Sequence, residues 1–245
     1  LGDVYKRQPW DREQTHQSIR MEFIEETYEA VEAIDTNDIP LMREELGDVL
    51  LQVAFHCQIE REQGSFTFDD VCDEVCKKLI ERHPHVFGEL NLSDTEAVLK
   101  NWDKIKQEKK QQSNTDTLTA VSKALPALMR AQKVGKRAMR AGMDFDNVQD
   151  AFTCISQETA ELQEAMQSGT QEQIEDELGD LLFSCVNTAR HLHVDAEEAL
   201  TRATEKFIRR FQKTEELLKQ EGIEMHSLGI DALDVYWRRA KEAIR

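Results

Sequence analysis

The chain has 245 residues, 40% hydrophobic and 32% charged, with a net charge of −17 and a pI near 4.9. So acidic a surface excludes a nucleic-acid footprint, and no stretch approaches the roughly 20 apolar residues that span a membrane. The length accommodates two cores of ordinary domain size.

Helical periodicity dominates, and β signals are nearly absent. Leu1 to Gln8 (LGDVYKRQ) shares no pattern with the residues after it and reads as a remnant outside the fold. From Ile19, the apolar positions Phe23, Tyr28, Val31 and Ile34 predict a helix that ends at Asp35-Thr36-Asn37-Asp38. Pro40 then suits the first turn of a second helix, which carries Leu46, Val49, Leu50 and Val53 to about Gln63-Gly64. Phe66 to Asp69 opens a third helix through Leu79, stopped at His83-Pro84-His85, and a fourth is expected from Asp94 to Lys109. The polar run Gln111 to Thr117 (QQSNTDT) reads as an interdomain linker. Beyond it the pattern predicts a helix over Ala124 to Arg140, a hairpin of two helices broken at Ser168-Gly169-Thr170, a long helix from Ala196 to Gln220 and a last one over Ala232 to Ile244. The expected fold is all-α: two tandem four-helix-bundle-like domains, 9–110 and 119–245, joined by a linker at 111–118. Five cysteines, an odd number set in apolar helix patterns, read as buried, reduced thiols of a cytoplasmic protein.

Four carboxylates recur in both halves with identical spacing: Glu26, Glu29, Glu45 and Asp48, then Glu158, Glu161, Glu177 and Asp180. In an antiparallel hairpin Glu26 falls level with Asp48 and Glu29 with Glu45, which centres the turn on Asn37. The second set centres on Gly169 in the same way, and both are turn-forming residues. Within each helix the acids stand three apart and share a face. A lone E-x-x-E in an acidic chain is ordinarily a solvated face. A repeated quartet is different, because like charges gathered together destabilise a helix pair unless a cation compensates them. Asp48 leads into VLLQVAF, with Gln52 its only polar residue, and Asp180 leads into Leu181-Leu182-Phe183, so the acids are expected at the mouth of a buried core. Gly47 and Gly179, each costing about 1 kcal/mol inside a helix, suggest a close approach to the backbone. Oxygen-only ligands suit Mg²⁺ or Mn²⁺. A di-iron centre would need Glu-x-x-His on two helices, and Glu13/His16 is the single such pair.

Basic residues repeat too. Lys78 and Arg82 in the first half match Lys206 and Arg210 in the second, and Trp102 and Lys106 match Trp237 and Lys241. Each pair is four apart, so two cations on one helix face can meet a polyphosphate while an indole stacks on a base. Each pair alone is commonplace on helices; their shared order behind the same quartet points to a phosphate site.

The segments PWDREQTHQSI (Pro9–Ile19), EETYE (Glu25–Glu29), EELGDVLLQV (Glu44–Val53), RHPHVF (Arg82–Phe87), LPALMRAQKVGKRA (Leu125–Ala138), ELGDLLF (Glu177–Phe183), EKFIRRF (Glu205–Phe211) and W-x-x-x-K at Trp237 resemble the MazG family, in order and nearly end to end. The resemblance implies two all-α MazG domains, Mg²⁺ dependence, a homodimer, and hydrolysis of nucleoside triphosphates to monophosphate and pyrophosphate. It also implies that the two quartets bind metal, with Glu158, Glu161, Glu177 and Asp180 the catalytic set, and that Lys206, Arg210, Trp237 and Lys241 hold the nucleotide. The second copy departs from the pattern: Gln157 replaces the acid found at Glu25, and Asp176 stands where the first copy has Glu44. The Gly-Cys that usually precedes Pro-Trp-Asp is absent. A rival expectation is a dimeric regulatory protein that binds nucleotide without turnover; a plain acidic helical scaffold would bind no nucleotide at all.

Overall fold

A computed structural model describes residues 9–87 and 113–244, and among them every regular element is a helix. The chain divides into two compact units, Leu1–Lys110 and Gln111–Arg245. The helix expected over Asp94 to Lys109 and the leader Leu1 to Gln8 lie outside the described residues.

In the first unit α1 (Pro9–Glu13) precedes the hairpin of α2 (Arg20–Asp35) and α3 (Ile39–Gln63), followed by α4 (Phe68–Arg82) and the single turn α5 (Pro84–Phe87). The hairpin turns at Asn37, whose φ of 55° is the left-handed conformation that asparagine tolerates. Asp38 then caps α3 by accepting from the Leu41 amide at 3.1 Å. Gly64, at φ 76°, ends α3, and a reciprocal Thr67–Asp70 capping box opens α4. Ile19, Ala30 and Ala33 are buried, with Cys57 and Ile59 of α3 buried in the same unit. A second tie runs from the segment before α2: His16 Nδ1 lies 2.7 Å from His56 Nδ1, and His16 Nε2 lies 2.6 Å from Glu60 Oε1.

In the second unit α6 (Asn114–Thr119) and α7 (Ala127–Arg140) lead to the hairpin of α8 (Val148–Ser168) and α9 (Gln171–His191), then α10 (Ala196–Gln220) and α11 (Ile230–Ala243). Part of the polar stretch expected as linker is therefore helical, because Ser113 and Asp116 form a capping box that starts α6. Gly169 makes the hairpin turn, where any Cβ would meet the Ala165 carbonyl oxygen at 2.7 Å. Gln132, buried on α7, donates to the Val194 carbonyl and accepts from the Ala196 amide, each at 2.9 Å, fixing the entry to α10. Arg190, buried on α9, donates to Asp144 through both terminal guanidinium nitrogens.

Three expectations change. The centre of α3 is not apolar on all sides and buried: Leu50 is 56% exposed and Leu51 40%, whereas the polar Gln52 is 8% exposed. Leu182 and Phe183 are likewise exposed, at 50% and 43%. In each hairpin the second helix buries one face and leaves these apolar side chains at the surface of the described residues. Gly47 and Gly179 face open space, since a Cβ at either meets nothing within 4 Å. The cysteines are all free, but Cys57 alone is buried, while Cys72, Cys76 and Cys185 are exposed.

The Arg190–Asp144 pair sets a test of this packing. Asp144→Ala leaves a buried guanidinium uncompensated and should cost about 3 kcal/mol in urea denaturation monitored by helical circular dichroism. Arg202→Ala, which removes an exposed pair with Glu198, should cost less than about 0.5 kcal/mol.

Candidate active site

The hairpins bring both quartets together. One carboxylate oxygen from each of Glu26, Glu29 and Glu45 lies within 4.8 Å of the other two, and the same holds for Glu158, Glu177 and Asp180. The remaining acid of each set is close enough to act on its neighbours. Asp48 helps to raise the pKa values of Glu26 and Glu45, and Glu161 those of Glu158 and Glu177. In all four raised groups burial is the largest cause, with repulsion from the other carboxylates second. Glu45 is buried, and Glu26, Glu158 and Glu177 are half-buried.

Such a set is chemically matched to a hard divalent cation. It offers only oxygen donors, gathered at one point, and its own charges oppose the arrangement until a cation balances them. Both clusters could hold a divalent metal ion. The first is the more acidic: Glu22, Glu25 and Glu44 also press on Glu26 or Glu45, whereas in the second Asp176 acts on Glu177 and Gln157 carries no charge.

The basic residues are placed less uniformly. Lys206 is exposed on α10, while Arg210 is half-buried there with its Nε shut in and unpartnered. Helix α11 packs on α10, and Trp237 lies against Phe207 with ring centroids 4.9 Å apart. The indole is thus half-buried on a phenyl ring, as a core tryptophan would be, and Lys241 on the same helix is exposed. In the first unit Lys78 is exposed and Arg82 half-buried near the end of α4, while Trp102 and Lys106 lie outside the described residues.

Sequence reasoning missed the His16–His56–Glu60 tie, because His16 lies outside the repeated pattern and nothing in its spacing points to α3. It also passed over Gln52, whose buried Oε1 has no hydrogen-bond partner. The available signal was its place as the one polar residue in an apolar run.

The crowded acids make a signed prediction. Raised carboxylate pKa values mean the folded protein binds these protons more tightly than the unfolded chain. Their contribution to stability is therefore present below the usual 4.5 and lost as the pH rises through the raised values. With a chelator present, Glu177→Gln should raise the melting temperature over wild type by a margin that grows from pH 4.5 towards 7.5. With excess Mg²⁺ at pH 7.5 the order should reverse, because the variant loses a ligand.

The sequence profile of the MazG nucleotide pyrophosphohydrolase domain matches residues 14–87 and 147–214. Each matched span contains one quartet, together with Lys78 and Arg82 or Lys206 and Arg210; Trp102, Lys106, Trp237 and Lys241 fall outside both. The chain is 44% identical over 232 residues to the nucleoside triphosphate pyrophosphohydrolase/pyrophosphatase MazG of Thermotoga maritima, covering 95% of this chain and 88% of that protein. It is 41% identical over 244 residues to the nucleoside triphosphate pyrophosphohydrolase of Escherichia coli K12, covering 98% and 93%. A third relative, the uncharacterized protein YabN of Bacillus subtilis, is 44% identical over 238 residues, or 97% of this chain and 49% of that longer protein. With one domain profile matched twice and likeness running nearly end to end, the chain belongs to the MazG nucleotide pyrophosphohydrolase family.

Proposed function

We infer that this enzyme hydrolyses nucleoside triphosphates, ribo- or deoxyribo-, to the monophosphate and pyrophosphate, with its two quartets as the metal-binding centres. The observation that carries this reading is the convergence of three carboxylates on each of two hairpins, with the fourth acid of each set acting on them, in a MazG-family chain. Glu26, Glu29, Glu45 and Asp48 would hold the ion in the first unit, and Glu158, Glu161, Glu177 and Asp180 in the second. Mg²⁺, with Mn²⁺ able to serve, supplies positive charge against the triphosphate oxygens and Lewis acidity toward water.

The chain's own groups supply the rest. A pyrophosphate product requires cleavage between the α and β phosphorus atoms, with water entering in line opposite the departing pyrophosphate. A carboxylate of the quartet, or Glu25 beside Glu26 in the first unit, would accept the proton from water. Gln157 occupies the corresponding position in the second and cannot take a proton, the one observation that favours binding without turnover there. Lys206, Arg210 and Lys241, with Lys78, Arg82 and Lys106 in the first half, neutralise the leaving pyrophosphate. Trp237 and Trp102 stand four residues before Lys241 and Lys106, and an indole at that spacing would stack on the base.

Exposed apolar surface bears on assembly. Tyr28, Val31, Ile34 and Leu46 on the first hairpin and Leu178, Leu182 and Phe183 on the second are all at least 43% exposed. Apolar surface of this kind supports a homodimer in which a second copy covers the hairpins. Five unbridged cysteines suit a reducing, cytoplasmic setting, and among the described residues no helix is long and apolar enough to cross a membrane.

Purified protein incubated with a nucleoside triphosphate panel should release monophosphate and pyrophosphate with Mg²⁺ and nothing with a chelator. Glu45→Ala and Glu177→Ala each remove a ligand from one unit, and the variant that strikes the working unit should lose on the order of 100-fold in kcat/KM. Diphosphate plus phosphate as products would overturn the assigned bond, and full activity in both variants would overturn the site.

A further inference from the structure

In the second unit α11 packs on α10 and is gripped through two neighbouring residues, Tyr236 and Trp237. Trp237 meets Phe207 with ring centroids 4.9 Å apart. Tyr236 donates through its hydroxyl to Glu221 Oε2 at 2.5 Å, and Arg239 Nη1 donates to Glu221 Oε1 at 2.8 Å. The Arg239 guanidinium also lies over the Tyr236 ring, 5.1 Å from its centroid. Glu221 is the residue that terminates α10, so both oxygens of one carboxylate tie the end of that helix to α11.

The spacing of these contacts fixes more than attachment. Phe207 and Glu221 are about four helical turns apart, roughly 21 Å along α10. Tyr236 and Trp237 are adjacent, so their side chains reach in opposite directions along α10 to make both contacts. Between the two points Thr214 and Leu218 of α10 are buried, and on α11 the buried residue is Ala240. A seam with so small a residue at its centre leaves rotation of α11 about its own axis weakly specified. Tyr236 and Arg239 stand three apart and share a face, and Trp237 stands on another. Holding the first face against Glu221 therefore decides where the indole points.

The network offers orientation more than stability. Glu221 and Arg239 are exposed, and an exposed ion pair alone contributes little. Hydrogen bonds from Tyr236 and then Arg239 hold the Glu221 carboxyl below its ordinary value, so the network stays charged at neutral pH. Aligned on the tryptophans, Tyr236 and Arg239 correspond to Asn101 and Lys104 in the first copy, which offer neither a phenol nor a planar guanidinium.

We propose that Glu221 is a positioning residue of the second unit: by holding Tyr236 and Arg239 it fixes the rotation of α11 and aims Trp237 at the nucleotide. The proposal rests on the reading of Trp237 as a base contact.

The test uses the full chain carrying Glu45→Gln and Asp48→Asn, so that binding reports on the second unit. The probes are the α,β-methylene analogues of ATP, GTP, CTP and UTP, and inorganic tripolyphosphate, titrated calorimetrically with Mg²⁺. Fluorotryptophan labelling reads the indoles by fluorine NMR, with the Trp237 resonance assigned by Trp237→Phe. Glu221→Ala should move the Trp237 resonance alone and weaken the tightest analogue about 10-fold, the loss of one stacked base. Tripolyphosphate, which has no base, should lose less. Tyr236→Phe removes one hydroxyl and keeps the ring, and should give the same change in smaller measure. It carries the test if circular dichroism shows Glu221→Ala unfolded. A lower melting temperature with the Trp237 resonance and the analogue affinities unchanged means a structural tie only, and overturns the proposal. An equal loss for analogue and tripolyphosphate overturns it too, as does a loss undiminished in a Trp237→Ala background. If Trp237→Ala by itself leaves analogue binding unchanged, the reading of the indole as a base contact fails, and the proposal with it.

Discussion

Like-charged carboxylates resist being brought together, and each hairpin of this protein gathers four of them. Burial adds to the penalty, since the largest cause of the raised pKa values is loss of water around Glu26, Glu45, Glu158 and Glu177. The opposition is met by ordinary means: an aspartate or threonine cap, a turn at Asn37 or Gly169, and small buried residues such as Ala30, Ala33, Ala151 and Ala165 along the hairpins. The fold thus maintains a charge distribution suited to a divalent cation, in a chain of the nucleotide pyrophosphohydrolase family.

Duplication gives the chain two versions of one device. The shared parts are geometric: the acids, their register and the turn at the hairpin's midpoint. The differing parts are chemical: Glu25 against Gln157, Glu44 against Asp176, and Gln52 against Ser184. The first unit is richer in acids around its centre, while in the second Phe207 meets Trp237 at a tilt beside the basic residues of α10. Such a pattern fits one scaffold carrying two centres of unequal task.

Much of this is legible in the sequence, for a definite reason. An antiparallel hairpin has two parameters, the helical period and the position of the turn, and eight acids with two turn residues determine both. The capping residues Asp38, Thr67 and Thr170 mark helix starts by local hydrogen bonding alone. Other features depend on tertiary cover, which periodicity does not encode. Leu50 and Leu51 read as core because the run is apolar, yet α2 covers the opposite face and buries Gln52 instead. The Arg190–Asp144 pair joins residues far apart in sequence, and Asp144 sits in a loop without pattern. Ser113 and Asp116 have the composition of a linker, although the same two residues make a capping box.

The central claim is that each quartet is a separate site for a divalent cation, and Mn²⁺ titration monitored by electron paramagnetic resonance tests it directly. The account predicts two sets of bound ion per chain, one lost in Glu45→Gln and the other in Glu177→Gln, with neither variant unfolded. Mn²⁺ binding unchanged by both substitutions would contradict it.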